Sequence, residues 1–113
     1  MREEMYSKIL RALPREKAFY FFTSIGNYTG ESAASLKEFM EKINKVNMKS
    51  LEFHLYRGDF EKWIIEVLED KRLAEDIGKL QKTSLMGDQL RNQLFAIVSR
   101  RYQQLIGDPY MIR

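Results

Sequence analysis

The residues best equipped for chemistry sit close together in Ser50-Leu51-Glu52-Phe53-His54-Leu55-Tyr56-Arg57-Gly58-Asp59-Phe60-Glu61-Lys62-Trp63-Ile64, which holds the only histidine and the only tryptophan of the chain. An imidazole titrates near neutrality, so His54 is a candidate general acid or base. Arg57 follows one helical turn later, and an aspartate at position 59 is placed to orient the ring. Trp63 offers a surface on which a ligand or a base can stack. Each has a structural reading beside it. His54 lies at the margin of an apolar face, where a half-buried histidine bonded to a helix end is the ordinary outcome. Trp63 keeps helical spacing with Phe60, Ile64 and Val67, which is the pattern of a core tryptophan.

The elements that must position these groups follow from Gly58-Asp59. Glycine adopts the left-handed conformation that closes a helix, and aspartate accepts from the free N–H groups that open the next one. Two helices are therefore expected to meet at a corner, with His54, Arg57, Asp59 and Trp63 around it and Tyr28 reaching in from a glycine-containing turn. Other motifs are weaker. Gly26-Asn27-Tyr28-Thr29-Gly30 lacks the spacing and the Lys-Ser/Thr pair of a phosphate loop and reads as a tight turn. No serine stands in a recognisable relation to His54 and an acid. Arg57-Gly58-Asp59 has a sufficient role as helix punctuation. The acids Glu61, Glu66, Glu69, Asp70, Glu75 and Asp76 spread round helix faces as a solvated surface does.

Composition narrows the function classes. The 113 residues are expected to form one domain, 1–113, with 44% hydrophobic and 31% charged residues. The absence of cysteine removes disulfides, thiolate catalysis and Cys-based zinc sites, and a single histidine removes a His-rich metal site. A carboxylate site for Mg²⁺ or Ca²⁺ has no supporting spacing, and no cofactor or metal is expected. The net charge of +3 is spread evenly along the chain, with no basic arm. That permits an acidic partner without demanding nucleic acid. Arg91, Arg100 and Arg101 are the candidate nucleic-acid contacts, on a helix where they do not align cleanly. No stretch reaches the ~20 apolar residues of a membrane span, and the acidic start Met1-Arg2-Glu3-Glu4 is unlike a signal peptide, so a cytoplasmic protein is expected. Dense Lys and Glu without Cys is also thermophile-like.

The expected fold is mainly α: a compact bundle of five to six helices with one short β-hairpin near residues 18–34. A first helix, Glu4 to Leu13, carries Met5, Tyr6, Ile9, Leu10 and Leu13 on one face and stops at Pro14. Lys17 to Ser35 admits two readings. One is a hairpin, Ala18–Thr23 out and Gly30–Ala34 back, on the β propensity of Phe19-Tyr20-Phe21-Phe22; the other is a helix opening at Pro14 and ending near Gly26. The hairpin is preferred. Ser35-Leu36-Lys37-Glu38 reads as a capping box, opening a helix with Leu36, Phe39, Met40, Ile43 and Val46 inward. Asn47 caps the next, Asp59 the one after, and Asp70 a further helix with Leu73, Ala74, Ile77 and Leu80 inward. From Leu85 to Ile106 the apolar positions hold a helical period for about six turns, ending at Gly107 with Pro109 beyond.

Taken together, Gly30…Ala33…Ser35-Leu36…Glu38-Phe39, the Ser50–Leu55 and Arg57–Ile64 blocks, and Leu73-Ala74 resemble an uncharacterised family of small prokaryotic, mainly archaeal proteins, a domain of unknown function. The resemblance spans roughly Ala18 to Leu105. It implies a free-standing cytoplasmic domain and carries no activity, so no residue inherits a role from it. The leading expectation is a protein-interaction or ligand-binding module, with His54, Arg57, Asp59, Trp63 and Tyr28 as the candidate site. A weak nucleic-acid-binding protein is the alternative, and an enzyme using His54 comes third. The aromatic content, the long last helix and the apolar tail Pro109–Arg113 are compatible with a homodimer.

Overall fold

The computed structural model describes residues 2–107, with side chains from Met5 onward. The apolar tail Pro109–Arg113 and the proline stop lie outside the described residues. The element order is α1 (Arg2–Leu10), a 3₁₀ turn (Arg15–Lys17), β1 (Phe19–Ser24), β2 (Asn27–Ala33), α2 (Leu36–Ile43), α3 (Met48–Arg57), α4 (Asp59–Trp63) running into a π-helical turn (Ile64–Leu68), α5 (Lys71–Gln81) and α6 (Gly87–Ile106). Among the described residues this is the expected mainly helical bundle with one hairpin. The helix alternative for residues 14–26 is overturned. Alternation decides it: Phe19 and Phe21 are buried while Tyr20 is exposed and Phe22 half-buried, a period of two that a helix cannot make.

The hairpin differs from expectation in its return. Ser24 pairs with Asn27, so the connection is Ile25-Gly26 and the second strand starts three residues earlier than predicted. Gly30 is not in the turn. Between the pairs Tyr20–Ser32 and Phe22–Tyr28, β1 has one residue and β2 has three, so β2 bulges. Gly30 takes the left-handed conformation there (φ 87°). Thr29 Oγ1 stitches the bulge by donating to the Phe21 carbonyl (2.7 Å) and accepting from the Glu31 N–H (3.0 Å).

Local chemistry sets most helix ends. Ser35 Oγ accepts from the Glu38 N–H, and the Glu38 carboxylate reaches back to the Ala34 N–H, one residue before the expected position. Asn47 caps α3 through the Lys49 N–H, Asp70 caps α5 through the Leu73 N–H, and Gly107 closes α6. The first helix is shorter than predicted: Met5 is exposed and Leu13 enters the core beyond its end. The last begins two residues late, leaving Met86 exposed. The core is continuous, with an aromatic centre of Phe19, Phe21, Phe39, Phe60 and Trp63, whose rings meet at centroid distances of 4.9–6.3 Å. No helix among the described residues is long and apolar enough to cross a membrane.

Candidate functional site

The corner forms where the sequence places it. Gly58 is left-handed (φ 80°), and its N–H returns to the His54 and Leu55 carbonyls, closing α3. Asp59 does something other than cap. It is the first residue of α4, no side chain caps that helix, and its Oδ2 lies 2.8 Å from His54 Nδ1 and 3.4 Å from Arg57 Nε. The reason is geometric: with Gly58 turning the chain, the Asp59 side chain faces back along α3 toward the imidazole instead of the N–H groups ahead of it.

The hydrogen bonds of His54 determine its state. Its Nε2 accepts from the Phe22 backbone N–H at 2.8 Å, so that nitrogen carries no proton. The ring proton therefore resides on Nδ1, which donates to Asp59 Oδ2. The imidazole is neutral, 5% exposed, and packed by Phe19, Phe21, Phe22, Phe53 and Phe60. Burial pushes its pKa below the ordinary value, against the Asp59 carboxylate, which pulls it up. Nε2, the nitrogen a general base would use, is already spent on the backbone.

Outside this half-buried bond lies a shallow groove of about 240 Å³, lined by Phe22, Ser24, Ile25, Gly26, Phe53, His54, Arg57 and Asp59. Ile25 at the hairpin tip is 85% exposed. The Arg57 guanidinium sits over the Phe53 ring, 4.6 Å from its centroid, and its side chain is 49% exposed. A cation stacked on an aromatic face and oriented by a carboxylate presents a planar donor edge suited to an anion.

The remaining sequence-predicted site residues lie elsewhere. Trp63 is in the core, with its indole N–H donating to the Lys17 carbonyl at 2.8 Å, so it pins the start of the hairpin. Tyr28 packs on Tyr20 and Phe22 on the outer face of the hairpin and lines a different, 450 Å³ groove with Arg15, Ala18, Tyr20 and Ser32. Of the three arginines on α6, Arg101 is buried in a bidentate pair with Asp70 (2.8 and 3.1 Å). Arg91 donates to the Val46 carbonyl, and Arg100 is exposed. The groove walls Phe22, Ile25 and Phe53 were not singled out by sequence reasoning. Strand alternation offered a signal for Phe22, since a run of four aromatics must turn two outward. Among the described residues no group of His, Asp and Glu is arranged to hold a metal ion.

A protein-family model described as a family of unknown function (DUF5752) matches residues 14–108, and the chain belongs to that family. The match contains the whole span of the resemblance read from the residues. No curated protein and no solved structure matches the chain.

Proposed function

We propose that this member of the DUF5752 family is a small binding module whose working surface is the groove between the hairpin tip and the α3–α4 corner. Arg57 carries the reading. Its guanidinium is stacked on Phe53, steadied by Asp59 and half exposed at the edge of a cleft walled by Phe22 and Ile25. Its two terminal nitrogens have no partner among the described residues. The ligand that suits this surface joins a carboxylate, for Arg57, to one aliphatic or aromatic group. A space of 240 Å³ suits a single such group. His54 enters as a structural part, because its basic nitrogen is occupied, and this weakens the enzyme reading. Titration of ¹⁵N-labelled protein with N-acetyl-leucine and N-acetyl-phenylalanine, each against its C-terminal amide, tests the proposal. Shifts confined to residues 22–26 and 53–59, stronger for the acids and lost in Arg57→Gln, support it. Shifts elsewhere, or equal shifts for acid and amide, overturn it.

A second reading rests on a different observation. Tyr20, Phe22 and Tyr28 form a row on the outer face of the hairpin beside the exposed Arg15, a surface on which unpaired bases can stack. It receives little help from the α6 arginines, two of which are engaged. Fluorescence anisotropy with single-stranded RNA and DNA at two salt concentrations checks it: steep salt dependence supports it and flat curves remove it. The same overall reading takes the chain as cytoplasmic and of archaeal, thermophile-like character, able to form a homodimer. Sedimentation decides the last point, and a melt above the mesophile range of roughly 45–65 °C would favour the thermophile assignment.

A further inference from the structure

We propose that the hydrogen bond from the Phe22 N–H to His54 is an acid-released latch on the hairpin tip. Its regulatory consequence, closing the groove to ligand in acid, rests on the groove being the binding surface; the latch itself does not.

The hairpin is held in two unequal ways. Its root is anchored by several independent contacts. Leu13 N–H donates to the Ala34 carbonyl, the Trp63 indole to the Lys17 carbonyl, and Phe19 and Phe21 are buried in the aromatic core. Its tip, residues 22–28, has one hydrogen bond to the helices among the described residues, from Phe22 N–H to His54 Nε2. The other side-chain bond at the tip, Asn27 to Ser24, is internal to it. Between root and tip lies the β2 bulge at Thr29–Glu31, with left-handed Gly30 at its centre. Anchor, latch and hinge are therefore carried by separate residues: Leu13 to Phe21, Phe22, and Thr29 to Glu31.

The latch requires one protonation state. A proton added at Nε2 would face the Phe22 N–H across 2.8 Å, donor against donor, and the bond would be lost. Nothing competes for the other nitrogen: Nδ1–H stays on Asp59, and the bond becomes a charged one. The imidazolium keeps its partner on the corner, and the strand leaves. The charged groups facing the ring are Asp59 and Arg57, from the corner; the hairpin presents only Phe19, Phe21 and Phe22, and the remaining neighbours are Phe53 and Phe60. Asp59 favours the imidazolium, and burial with Arg57 opposes it, so release falls on the acid side of the ordinary imidazole range. Release moves Phe22, one wall of the groove, while the root stays packed.

Residue-resolved amide exchange of the free protein from pH 7.5 to 4.5, corrected for intrinsic rates, tests the latch without any ligand. Protection of the Phe22 amide should fall about tenfold per pH unit once His54 titrates, while the Leu94 and Val98 amides of α6 hold theirs. Imidazole ¹⁵N shifts should show the Nδ1–H form at neutral pH. His54→Gln supplies a carboxamide acceptor and donor that do not titrate, so Phe22 protection should become independent of pH. If that variant does not fold, Asp59→Asn serves: it keeps an acceptor for Nδ1–H, removes the charge that favours the imidazolium, and should move release to lower pH. Three results overturn the proposal: unchanged Phe22 protection, loss of protection together with the α6 amides, or an Nε2–H ring at neutral pH. Failure of the acetylated amino acids to bind at neutral pH would remove the groove reading and leave the latch standing.

Discussion

Two polar pairs, the half-buried His54–Asp59 and the buried Asp70–Arg101, each join an aspartate at a helix start to a basic side chain. Yet they do opposite things. Asp70 caps α5 with Oδ1 and receives Arg101 on both oxygens, the two side chains being 1% and 9% exposed. It ties α5 to α6, with Tyr6 of α1 over the guanidinium. The His54 pair is neutral on the ring side and borders a groove. Its third member is a backbone N–H of the hairpin, and Arg57 beside it is half exposed. The bidentate charge pair uses Nε, Nη1 and Nη2 of Arg101 inside the protein, although both side chains also edge a groove of about 320 Å³ beside Tyr6 and Arg72. A neutral ring between a carboxylate and a backbone donor is one proton away from losing a partner. The contrast separates a fastening from an adjustable contact more sharply than burial alone does.

The largest expected effect breaks the more deeply buried pair, Asp70–Arg101. Asp70→Ala or Arg101→Ala leaves its partner buried and unpaired, which costs about 3–5 kcal/mol. Asp70→Ala also removes a helix cap. Urea denaturation should show the loss, and Arg101→Met, which fills the space without a charge, should cost less than Arg101→Ala.

Breaking the other pair costs less but acts locally. His54→Ala orphans the Phe22 N–H and empties space among five phenylalanine rings, for an expected loss of about 2–4 kcal/mol. His54→Gln should recover much of it. If His54→Ala melts like the parent protein, the ring is not a structural member of the corner.

These pairs also mark what was legible in the sequence. Ser35, Asn47, Asp70, Gly58 and Gly107 could be read because capping is decided within four residues, and all five act at helix ends. The inward faces of α2 and α5 could be read because their periods are clean. Arg101 could not be placed inside, because its partner lies 31 residues earlier and only the packing of α5 on α6 brings them together. Nor could the π-helical turn Ile64–Leu68, which inserts a register change before left-handed Glu69 and lets the Asp70 N–H reach the Ile64 carbonyl. The candidate site was half legible. Chain proximity gathered His54, Arg57 and Asp59, but Trp63 faces inward and Tyr28 lies on the outer face of the hairpin. Phe22 and Ile25 join the groove only through the fold of the hairpin.

The pH dependence sharpens the comparison. The folded pKa of His54 lies below its unfolded value, so the unfolded chain takes up the proton first. The stability this contact supplies is therefore complete above about pH 6.5, the ordinary imidazole value, and declines as the pH falls below it. In the parent protein, the midpoint of urea unfolding should drop between pH 7 and 5. His54→Gln should remove the part of that drop that lies nearest pH 6.5. An undiminished drop in His54→Gln would assign it to carboxylates elsewhere.

The smallest effect on stability should be the most informative about function. Arg57 is half exposed, and its contact with Asp59 is a surface pair, so Arg57→Gln should change stability by less than about 1 kcal/mol. The same substitution removes the only cation that lines the groove among the described residues. A variant that keeps the parent unfolding midpoint and loses the acid-dependent shifts at residues 22–26 separates recognition from folding at this corner. Asp70 and Arg101 allow no such separation, because removing either leaves the other buried and unpaired. An Arg57→Gln protein as destabilised as His54→Ala would collapse the distinction, since Arg57 would then be a third strut of the corner and not a donor held ready for a ligand.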